Sequence, residues 1–318
     1  MSLARSERAK QTEVQSPQET EAAARRASAE IIMPQARAGN NSYALPSKPV
    51  VTIEASRSWV PINLPDLWAY RELLYFLVWR DIKVRYKQTV LGAAWAILQP
   101  LVTMIIFTYF FGKLARVPTE GLPYPIFFYT GLLLWTYFSN AVTSGANSLI
   151  GNPNLITKVY FPRLIIPASS VGAGLVDFAI ASVLLIGLLV YYNFPVTWGY
   201  LMLLPLVALT TAFALGMSVW LAALNVRYRD VRYALPFLIQ VWLFVSPIIY
   251  PASLVPEEWR WMMMLNPLTG IIENFRASLF GREFHWLALC YSTVFTVALL
   301  VYASYTFRRM EKHFAEFI

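Results

Sequence analysis

Five long stretches that are almost free of charged residues constrain this chain more than any other feature of its sequence. They run from 88 to 112, from 121 to 157, from 164 to 226, from 233 to 256 and from 284 to 307. A helix needs about 20 apolar residues to cross a bilayer core roughly 30 Å thick. On that rule the third stretch holds two spans around a break at Asn193-Phe194-Pro195, the second holds one span and a loop, and each of the others holds one. The sequence therefore predicts six transmembrane helices within residues 89–307.

The composition agrees with a chain that folds in lipid. Hydrophobic residues make up 57% of the sequence and charged residues 14%, whereas soluble domains carry about 25% charged residues. The apolar stretches also lack the alternation of polar and apolar residues that a membrane barrel shows. We therefore expect an all-α integral membrane protein.

Basic residues in the loops indicate how the bundle is oriented, because loops rich in Lys and Arg stay in the cytoplasm. With six spans both termini share one side, which carries Arg80, Lys83, Arg85, Lys87, Lys158, Arg163, Arg227, Arg229, Arg232, Arg308, Arg309 and Lys312. The opposite side carries only Lys113, Arg116, Arg260, Arg276 and Arg282. Both termini are therefore predicted to be cytoplasmic. We expect residues 1–58 to form a polar, disordered cytosolic arm and residues 308–318 a cytosolic tail.

Residues 59–88, ahead of the first span, have the pattern of an amphipathic interface helix. This stretch is too charged to cross the membrane and apolar enough to lie on its surface. Asp81 can pair with Arg85 at the i,i+4 spacing of a helix. Two roles stay open for this helix: a simple membrane anchor, or an anchor that also contacts a partner protein through Arg80, Lys83, Arg85 and Lys87.

The predicted cytoplasmic loop at residues 151–165 connects spans two and three. Pro153 and Pro162 bound a segment with room for a short helix. An apolar tip with basic neighbours suits a groove on a partner protein, and contact with lipid headgroups is the alternative. The side chains that this segment would present are Leu155, Ile156, Lys158, Tyr160 and Arg163.

Residues 252–285 form the one long segment on the predicted outer side. Its apolar stretches of about 10 to 12 residues are too short to span, and they fit a re-entrant helical hairpin before the last span. Pro267 separates two short helices, and Gly281 suits a C-terminal cap. Such a hairpin would lie over the mouth of a pathway, with an interfacial aromatic belt as the alternative. The candidate gate residues are Trp259, Trp261, Asn266 and Phe275.

Within the spans, aromatic residues and one acid are candidates for the lining of a channel. Phe128, Trp135 and Phe138 fall on one face of span two, where they could stack on sugar rings or pack against neighbouring helices. Asp177 is the only carboxylate inside a predicted span. Since a charge in the membrane is costly, Asp177 should face the interior and be paired or protonated.

Four stretches together resemble the membrane subunits of polysaccharide ABC exporters of the O-antigen, capsule and teichoic-acid type. They are residues 70–87 (YRELLYFLVWRDIKVRYK), 91–100 (LGAAWAILQP), 154–163 (NLITKVYFPR) and 224–232 (LNVRYRDVR). The resemblance extends from Trp59 to Ile318. It implies a bacterial inner-membrane permease in which two copies form a channel for a lipid-linked glycan. It further implies that residues 80–87 and 155–163 dock onto a separate ATPase, and that residues 259–280 gate the outer end.

No ATP-binding or catalytic motif is visible in the sequence. The chain has no Gly-x-x-x-x-Gly-Lys-Ser/Thr loop to cradle ATP phosphates, no cluster of metal ligands and no pairing of nucleophile with base. We expect no catalytic, cofactor or metal site here, with ATP and magnesium bound by the partner ATPase. Two rival functions stay open, a proton-coupled carrier that uses Asp177 and a membrane-embedded glycosyl or lipid transferase.

Overall fold

A computed structural model describes residues 68–87, 89, 92–311 and 314, and this part of the chain is helical without any β-strand. The prediction of an all-α fold is confirmed for these residues. The predicted arm at residues 1–58, the start of the interface helix and most of residues 312–318 lie outside the described part. The helices are α1 Arg71–Tyr86, α2 Trp95–Phe107, α3 Tyr124–Asn147, α4 Pro153–Lys158, α5 Ile165–Tyr191, α6 Leu203–Arg227, α7 Val231–Val245, α8 Glu257–Met264, α9 Pro267–Phe280 and α10 Trp286–Glu311.

Two of these helices are extended by turns of another type. A 3-10 turn at Gly92–Ala94 precedes α2 and a π-helix at Thr108–Leu114 follows it, and a 3-10 turn at Trp198–Met202 precedes α6. With these extensions, four helical segments are long and apolar enough to cross a membrane. They are Gly92–Leu114, Ile165–Tyr191, Trp198–Arg227 and Trp286–Glu311.

The two remaining predicted spans correspond to α3 and α7. Helix α3 has 24 residues, but it contains several hydroxyl and amide side chains and is not among the four candidate spans. Helix α7 has 15 residues, which cover only about 22 Å, and the chain from Ser246 to Pro251 continues without a helix. The described structure therefore establishes four candidate spans, and the count of six stays a prediction.

Helix α3 forms the centre of the bundle and packs against α2, α5, α6 and α9. Its ring Phe138 stacks on Phe213 of α6, with centroids 5.1 Å apart, and meets Trp242 of α7 edge-on at 5.3 Å. Small residues permit close approach of the helices: a Cβ atom on Gly145 would lie 2.4 Å from Ser218 Oγ. The largest apolar cluster is thus built around α3.

A second apolar cluster closes one end of the bundle, called here the α4 end. It joins α1 and α4 to parts of α5, α6 and α10. Its buried members include Leu77, Ile156, Phe161, Phe307 and Phe314. The opposite end carries α8 and α9 and is called the hairpin end.

Candidate functional site

The connection between α3 and α5 contains the short helix that its two prolines predicted. Helix α4 begins at Pro153 and ends at Lys158, and proline is well tolerated in the first turn of a helix. The three residues Lys158, Val159 and Tyr160 that end this segment are all exposed, Tyr160 at 76%. We call these three residues the coupling tip.

Ile156 does not belong to the exposed part of this segment, contrary to the prediction that it inserts into a partner. Its side chain is 5% exposed and lies in the apolar cluster of the α4 end. Leu155 is partly buried against the same cluster. The apolar side of α4 is directed inward, because it packs against the ends of the neighbouring helices.

Arg163 is also directed inward. Its Nη1 donates a hydrogen bond of 2.6 Å to the carbonyl oxygen of Glu311, the last residue of α10. The guanidinium also lies 6.0 Å from the ring centre of Phe314. Arg163 therefore ties the coupling tip to the last helix and is not available at the rim of a partner groove.

The basic residues of α1 divide into an exposed set and a set with internal partners. Lys83 and Lys87 are exposed, and Lys83 Nζ lies 5.3 Å from the ring centre of Trp79. Arg80 forms a salt bridge of 2.8 Å with Asp81. The predicted pairing of Asp81 with Arg85 is therefore absent, since Arg85 is directed elsewhere.

Arg85 and Tyr86 both reach Asp177 in the interior of the bundle. Arg85 Nη1 donates to Oδ2 of Asp177, and the Tyr86 hydroxyl donates to Oδ1. This confirms that Asp177 is paired, and it assigns Arg85 to the bundle instead of to a partner surface. Helix α1 is seated on α5 here, and Ser169 adds a hydrogen bond of 3.3 Å to Asp81. A charge inside a span requires a counter-charge, and Arg85 supplies it.

Asp177 also borders a cavity of about 400 Å³. The cavity lies between the C-terminal end of α1 and helices α2, α3 and α5. Of the residues predicted to line a channel, Asp177 is the one that faces open space in the described structure.

The three aromatic candidates for a channel lining lie inside the chain. Phe128 and Phe138 are completely buried, and Trp135 is nearly so. Phe128 is surrounded by rings that include Phe107, with centroids 6.1 Å apart. The aromatic face of α3 therefore packs against neighbouring helices, which was the alternative reading of that pattern, because α3 is the central helix and has no free apolar face.

The segment at the hairpin end contains the two predicted helices, α8 and α9. Gly281 follows α9 in the left-handed conformation, with φ of 65°, as predicted for the cap. Asn266 caps the start of α9 and also contacts α7: its Nδ2 donates to Ser246 Oγ at 2.8 Å, and its Oδ1 accepts from Trp242 Nε1 at 3.1 Å.

The four candidate gate residues fall into two pairs. Asn266 and Phe275 are buried and fix α9 to the bundle. Trp259 and Trp261 are 57% and 60% exposed on α8. The two tryptophans therefore lie on a free surface, and they do not close a pathway within the single chain.

Arg276, which the sequence predicted only as a charge on the outer side, is a buried anchor of α9. Its Nη1 donates to the carbonyl oxygen of Pro247 at 2.8 Å, and its Nη2 donates to those of Ile248 at 2.9 Å and Phe127 at 3.2 Å. The guanidinium also lies 3.9 Å from the ring centre of Phe127. A Cβ atom on Gly131 would lie 2.8 Å from Arg276 Nη2, so glycine leaves the space for this contact.

A second contact that the sequence did not reveal joins the loop before α3 to both sides of the hairpin. Arg282 forms a salt bridge with Glu120, and its Nη2 donates to the Glu120 carbonyl oxygen at 2.7 Å. Ser253 Oγ donates to Glu120 Oε1 at 2.5 Å. Burial alone would raise the pKa of Glu120, but the Ser253 hydrogen bond and the Arg282 charge together hold that pKa below its ordinary value.

We expect Glu120→Gln to loosen the hairpin at neutral pH, because it removes the charge that holds Arg282. An exposed pair of this kind contributes about 0.2–1 kcal/mol. The depressed pKa means that this stability is present at neutral pH and is lost as the pH falls through the folded-state pKa of Glu120. Amide hydrogen exchange of residues 252–265 should therefore be faster in the variant than in the wild type at pH 7, and the ratio should approach one in acid.

The matched control for this experiment is Glu257→Gln, because the Glu257 side chain is highly exposed and its ion pair with Arg260 is long, at 3.6 Å. It should leave exchange unchanged at every pH. An equal effect of both variants would contradict a specific role for Glu120.

Metal ligands are not grouped in the part of the chain that the structure describes: no three His, Cys, Asp or Glu side chains lie close enough to hold a metal ion.

The family model that describes the ABC-2 type transporter matches residues 72–280. The O-antigen export system permease protein RfbA of Myxococcus xanthus is 32% identical over 257 residues, which cover 80% of this chain and 98% of that protein. A protein of the same name from Klebsiella pneumoniae is 30% identical over 254 residues, with coverages of 78% and 95%. The polysialic acid transport protein KpsM of Escherichia coli is 23% identical over 238 residues, with coverages of 73% and 91%. The matched region contains α4, the Asp177 cavity and the hairpin helices, and the chain belongs to the ABC-2 type transporter family.

Proposed function

We propose that the chain is the permease subunit of an ABC exporter that moves a lipid-linked polysaccharide across the bacterial inner membrane. Two copies would form the channel, and a separate ATPase would bind ATP and magnesium and drive transport. The family supports the transporter class. Relatives whose names state export of O-antigen or transport of polysialic acid support a glycan as substrate. Both termini are proposed to be cytoplasmic, as the loop charges predict.

The proposal that a separate ATPase binds this chain is supported mainly by the coupling tip. A large, exposed ring at Tyr160 stands beside Lys158 and Val159 on a segment that is held by its own chain on both sides. Ile156 anchors the segment in the α4-end cluster, and Arg163 anchors it to α10. Tyrosine is among the residues that contribute most to protein interfaces, and a rigid mount transmits a push better than a loose loop. Lys83 and Lys87 of α1 supply further basic contacts in this proposal.

The second copy is proposed from two apolar helices that the single chain leaves uncovered. In the span Gly92–Leu114, only 11% of the residues in the most apolar part are buried. Helix α7 exposes a row of rings and aliphatic side chains that includes Tyr233, Phe237, Val241 and Phe244. In the proposed dimer a part of these faces meets the second copy and the rest meets lipid. Trp259 and Trp261 lie at the hairpin end, where we propose that they contribute to the outer gate.

The rival proton carrier receives less support from the Asp177 site. A proton relay needs a series of groups that exchange protons, whereas the cavity lining described here contains no second carboxylate and no histidine beside Asp177. The two contacts from Arg85 and Tyr86 stabilise a charged carboxylate, which suits a fixed structural pair.

Replacing Tyr160 with alanine tests the proposed function. The ATPase would bury the Tyr160 ring in the complex, so its removal should weaken binding of the ATPase about tenfold. Lys158→Ala should have a smaller effect, because charges at the rim of an interface mainly tune encounter rates. Both variants are to be assayed by co-purification of the ATPase encoded in the same organism and by the amount of glycan at the cell surface.

Tyr191→Ala is the matched control, since Tyr191 is 75% exposed at the other end of α5. It should leave co-purification unchanged. Deletion of the whole chain should abolish surface glycan, and normal surface glycan without the chain would exclude this function. Full retention of the ATPase by Tyr160→Ala would place the docking surface elsewhere.

A further inference from the structure

We propose that the cavity beside Asp177 is a binding subsite for one or two neutral sugar units of the transported glycan; this inference rests on the proposed function. Its volume of about 400 Å³ lies within the range of about 300–1,000 Å³ that small-molecule sites occupy. The features that identify the ligand are a row of free polar groups, a balanced charge and several aromatic rings.

The free polar groups belong mainly to one stripe of α3. Thr136, Asn140 and Ser144 follow each other at intervals of four residues and border the cavity, with Gln99 of α2 also in its lining. None of these four side chains makes a hydrogen bond within the part of the chain that the structure describes. Because an unpaired amide or hydroxyl is costly at membrane depth, the stripe requires water, a ligand or another chain as its partner.

Neighbouring polar residues of α3 show the opposite behaviour. Ser139 donates to the Thr136 carbonyl at 3.2 Å, and Thr143 donates to the Ser139 carbonyl at 2.7 Å. Asn147 donates to the Thr143 carbonyl at 2.8 Å. These side chains donate their hydrogen bonds to backbone carbonyls of their own helix, which is the usual arrangement in a span. The cavity-facing residues are therefore distinguished from ordinary polar residues of α3 by their open hydrogen-bonding capacity.

The charge of the lining favours an uncharged ligand. Arg85 and Asp177 are the charged residues among those that line the cavity, and they are bound to each other. A phosphate or pyrophosphate would have to compete with Asp177 for the guanidinium and would face its carboxylate. A neutral polyol meets no such conflict, and its hydroxyl groups can both donate to and accept from amide and hydroxyl side chains.

Aromatic rings complete the lining. Trp95, Tyr86, Tyr137 and Phe178 all border the cavity, and Trp95 is half exposed. Flat apolar faces beside a few placed polar groups are the usual composition of a small-molecule site. The polar stripe lies in the half of α3 nearer the α4 end, where we propose that the glycan arrives.

A single-cysteine experiment tests occupancy, because Cys290 is the one cysteine of the sequence. The background is Cys290→Ser, into which Asn140→Cys is introduced, with Val183→Cys on the exposed surface of α5 as the control. Inner-membrane vesicles with the ATPase present are treated with a small, charged methanethiosulfonate reagent. Vesicles are prepared from cells that make the glycan and from cells blocked at its first sugar transfer.

We expect the Asn140→Cys thiol to react with the reagent, and to react about tenfold more slowly when glycan is present, as for a site protected by a bound ligand. The Val183→Cys thiol, on the exposed apolar surface of a candidate span, is expected to face lipid in the membrane and to stay unmodified in both preparations. Equal reaction rates with and without glycan would overturn the inference. A disulfide between two Asn140→Cys chains, without modification, would also overturn it and would assign the stripe to the contact between two copies.

Export provides the second measurement. Asn140→Leu and Thr136→Val should each lower surface glycan about tenfold while the ATPase co-purifies normally. Ser139→Ala should not, because Ser139 is not among the residues that line the cavity and its hydroxyl is already bonded to the Thr136 carbonyl. Normal export by both cavity variants would overturn the subsite and leave the proposed function intact. The proposed function itself fails only if surface glycan persists after deletion of the chain.

Discussion

Replacing Arg276 with leucine is expected to remove most of the stably folded protein. The substitution leaves the carbonyl oxygens of Pro247 and Ile248 without the guanidinium that binds them at 2.8 and 2.9 Å. Each buried acceptor without a partner costs about 1–3 kcal/mol, and two of them cost about 2–6 kcal/mol. A leucine would also lose the contact with the Phe127 ring. We expect the apparent melting temperature of the purified chain in detergent to fall sharply, together with its yield.

The control for this prediction is Arg260→Leu, one helix earlier. Arg260 is 43% exposed, and its ion pair with the exposed Glu257 is long, at 3.6 Å. Its loss should therefore change stability by less than about 1 kcal/mol. Arg276→Lys keeps the positive charge but lacks the planar fork that reaches several carbonyls at once. It should therefore be intermediate. If Arg276→Leu were as stable as Arg260→Leu, the anchoring role of Arg276 would be wrong.

Asp177→Ala is expected to release α1 from its seat on α5. The variant leaves both Arg85 and Tyr86 without their shared acceptor. Hydrogen bonds to a charged group contribute about 1.5–3 kcal/mol, and this pair is only partly exposed. The exposed Lys83 and Lys87 give a direct readout, since trypsin should cleave after them faster once α1 is released.

A double-mutant cycle separates this pair from other effects. Arg85→Ala combined with Asp177→Ala should be less destabilised than the sum of the single variants, by about 1–3 kcal/mol. Glu72→Ala, at an exposed position of α1, is the control and should leave trypsin cleavage unchanged. Additive effects of the two substitutions would show that Arg85 and Asp177 do not stabilise each other.

Asp177→Asn distinguishes the exporter from the proton carrier. The amide oxygen can still accept one of the two hydrogen bonds, while the group can no longer titrate. We expect ATP-dependent export to continue in this variant at a reduced level. Complete loss of transport from a properly assembled Asp177→Asn complex, together with wild-type transport that does not depend on ATP, would favour the carrier.

Local signals in the sequence predicted where helices begin and end. Pro153 and Pro162 act on their own neighbourhood through a fixed φ and a missing N–H group. Asn193 and Gly281 act by adopting the left-handed conformation, with φ of 56° and 65°. The helix ends next to these residues could therefore be predicted from the sequence, and the structure places helix ends there. The class of the protein followed equally directly from the length of its uncharged stretches.

The direction of individual side chains could not be predicted in the same way. The sequence predicts an exposed position for both Ile156 and Tyr160. Only the positions of α6 and α10 in the structure show that Ile156 is buried. The aromatic face of α3 likewise suits a channel or a core, and the choice depends on which helix is central. Contacts between distant residues, such as Glu120 with Arg282, have no local pattern at all.

Helix α10 is hydrogen-bonded near both of its ends to the two parts of the chain that we propose as the coupling and gating segments. At the α4 end, Arg163 holds the carbonyl of Glu311. At the hairpin end, Ser292 donates to the Pro267 carbonyl at 2.7 Å, and the His285 N–H donates to Asn274 Oδ1 at 2.9 Å. The 26 residues between Trp286 and Glu311 form a rod about 39 Å long. If the coupling tip receives the movement of an ATPase, as we propose, a shift of one or two ångströms there would reach α9 as a translation or rotation of one stiff helix.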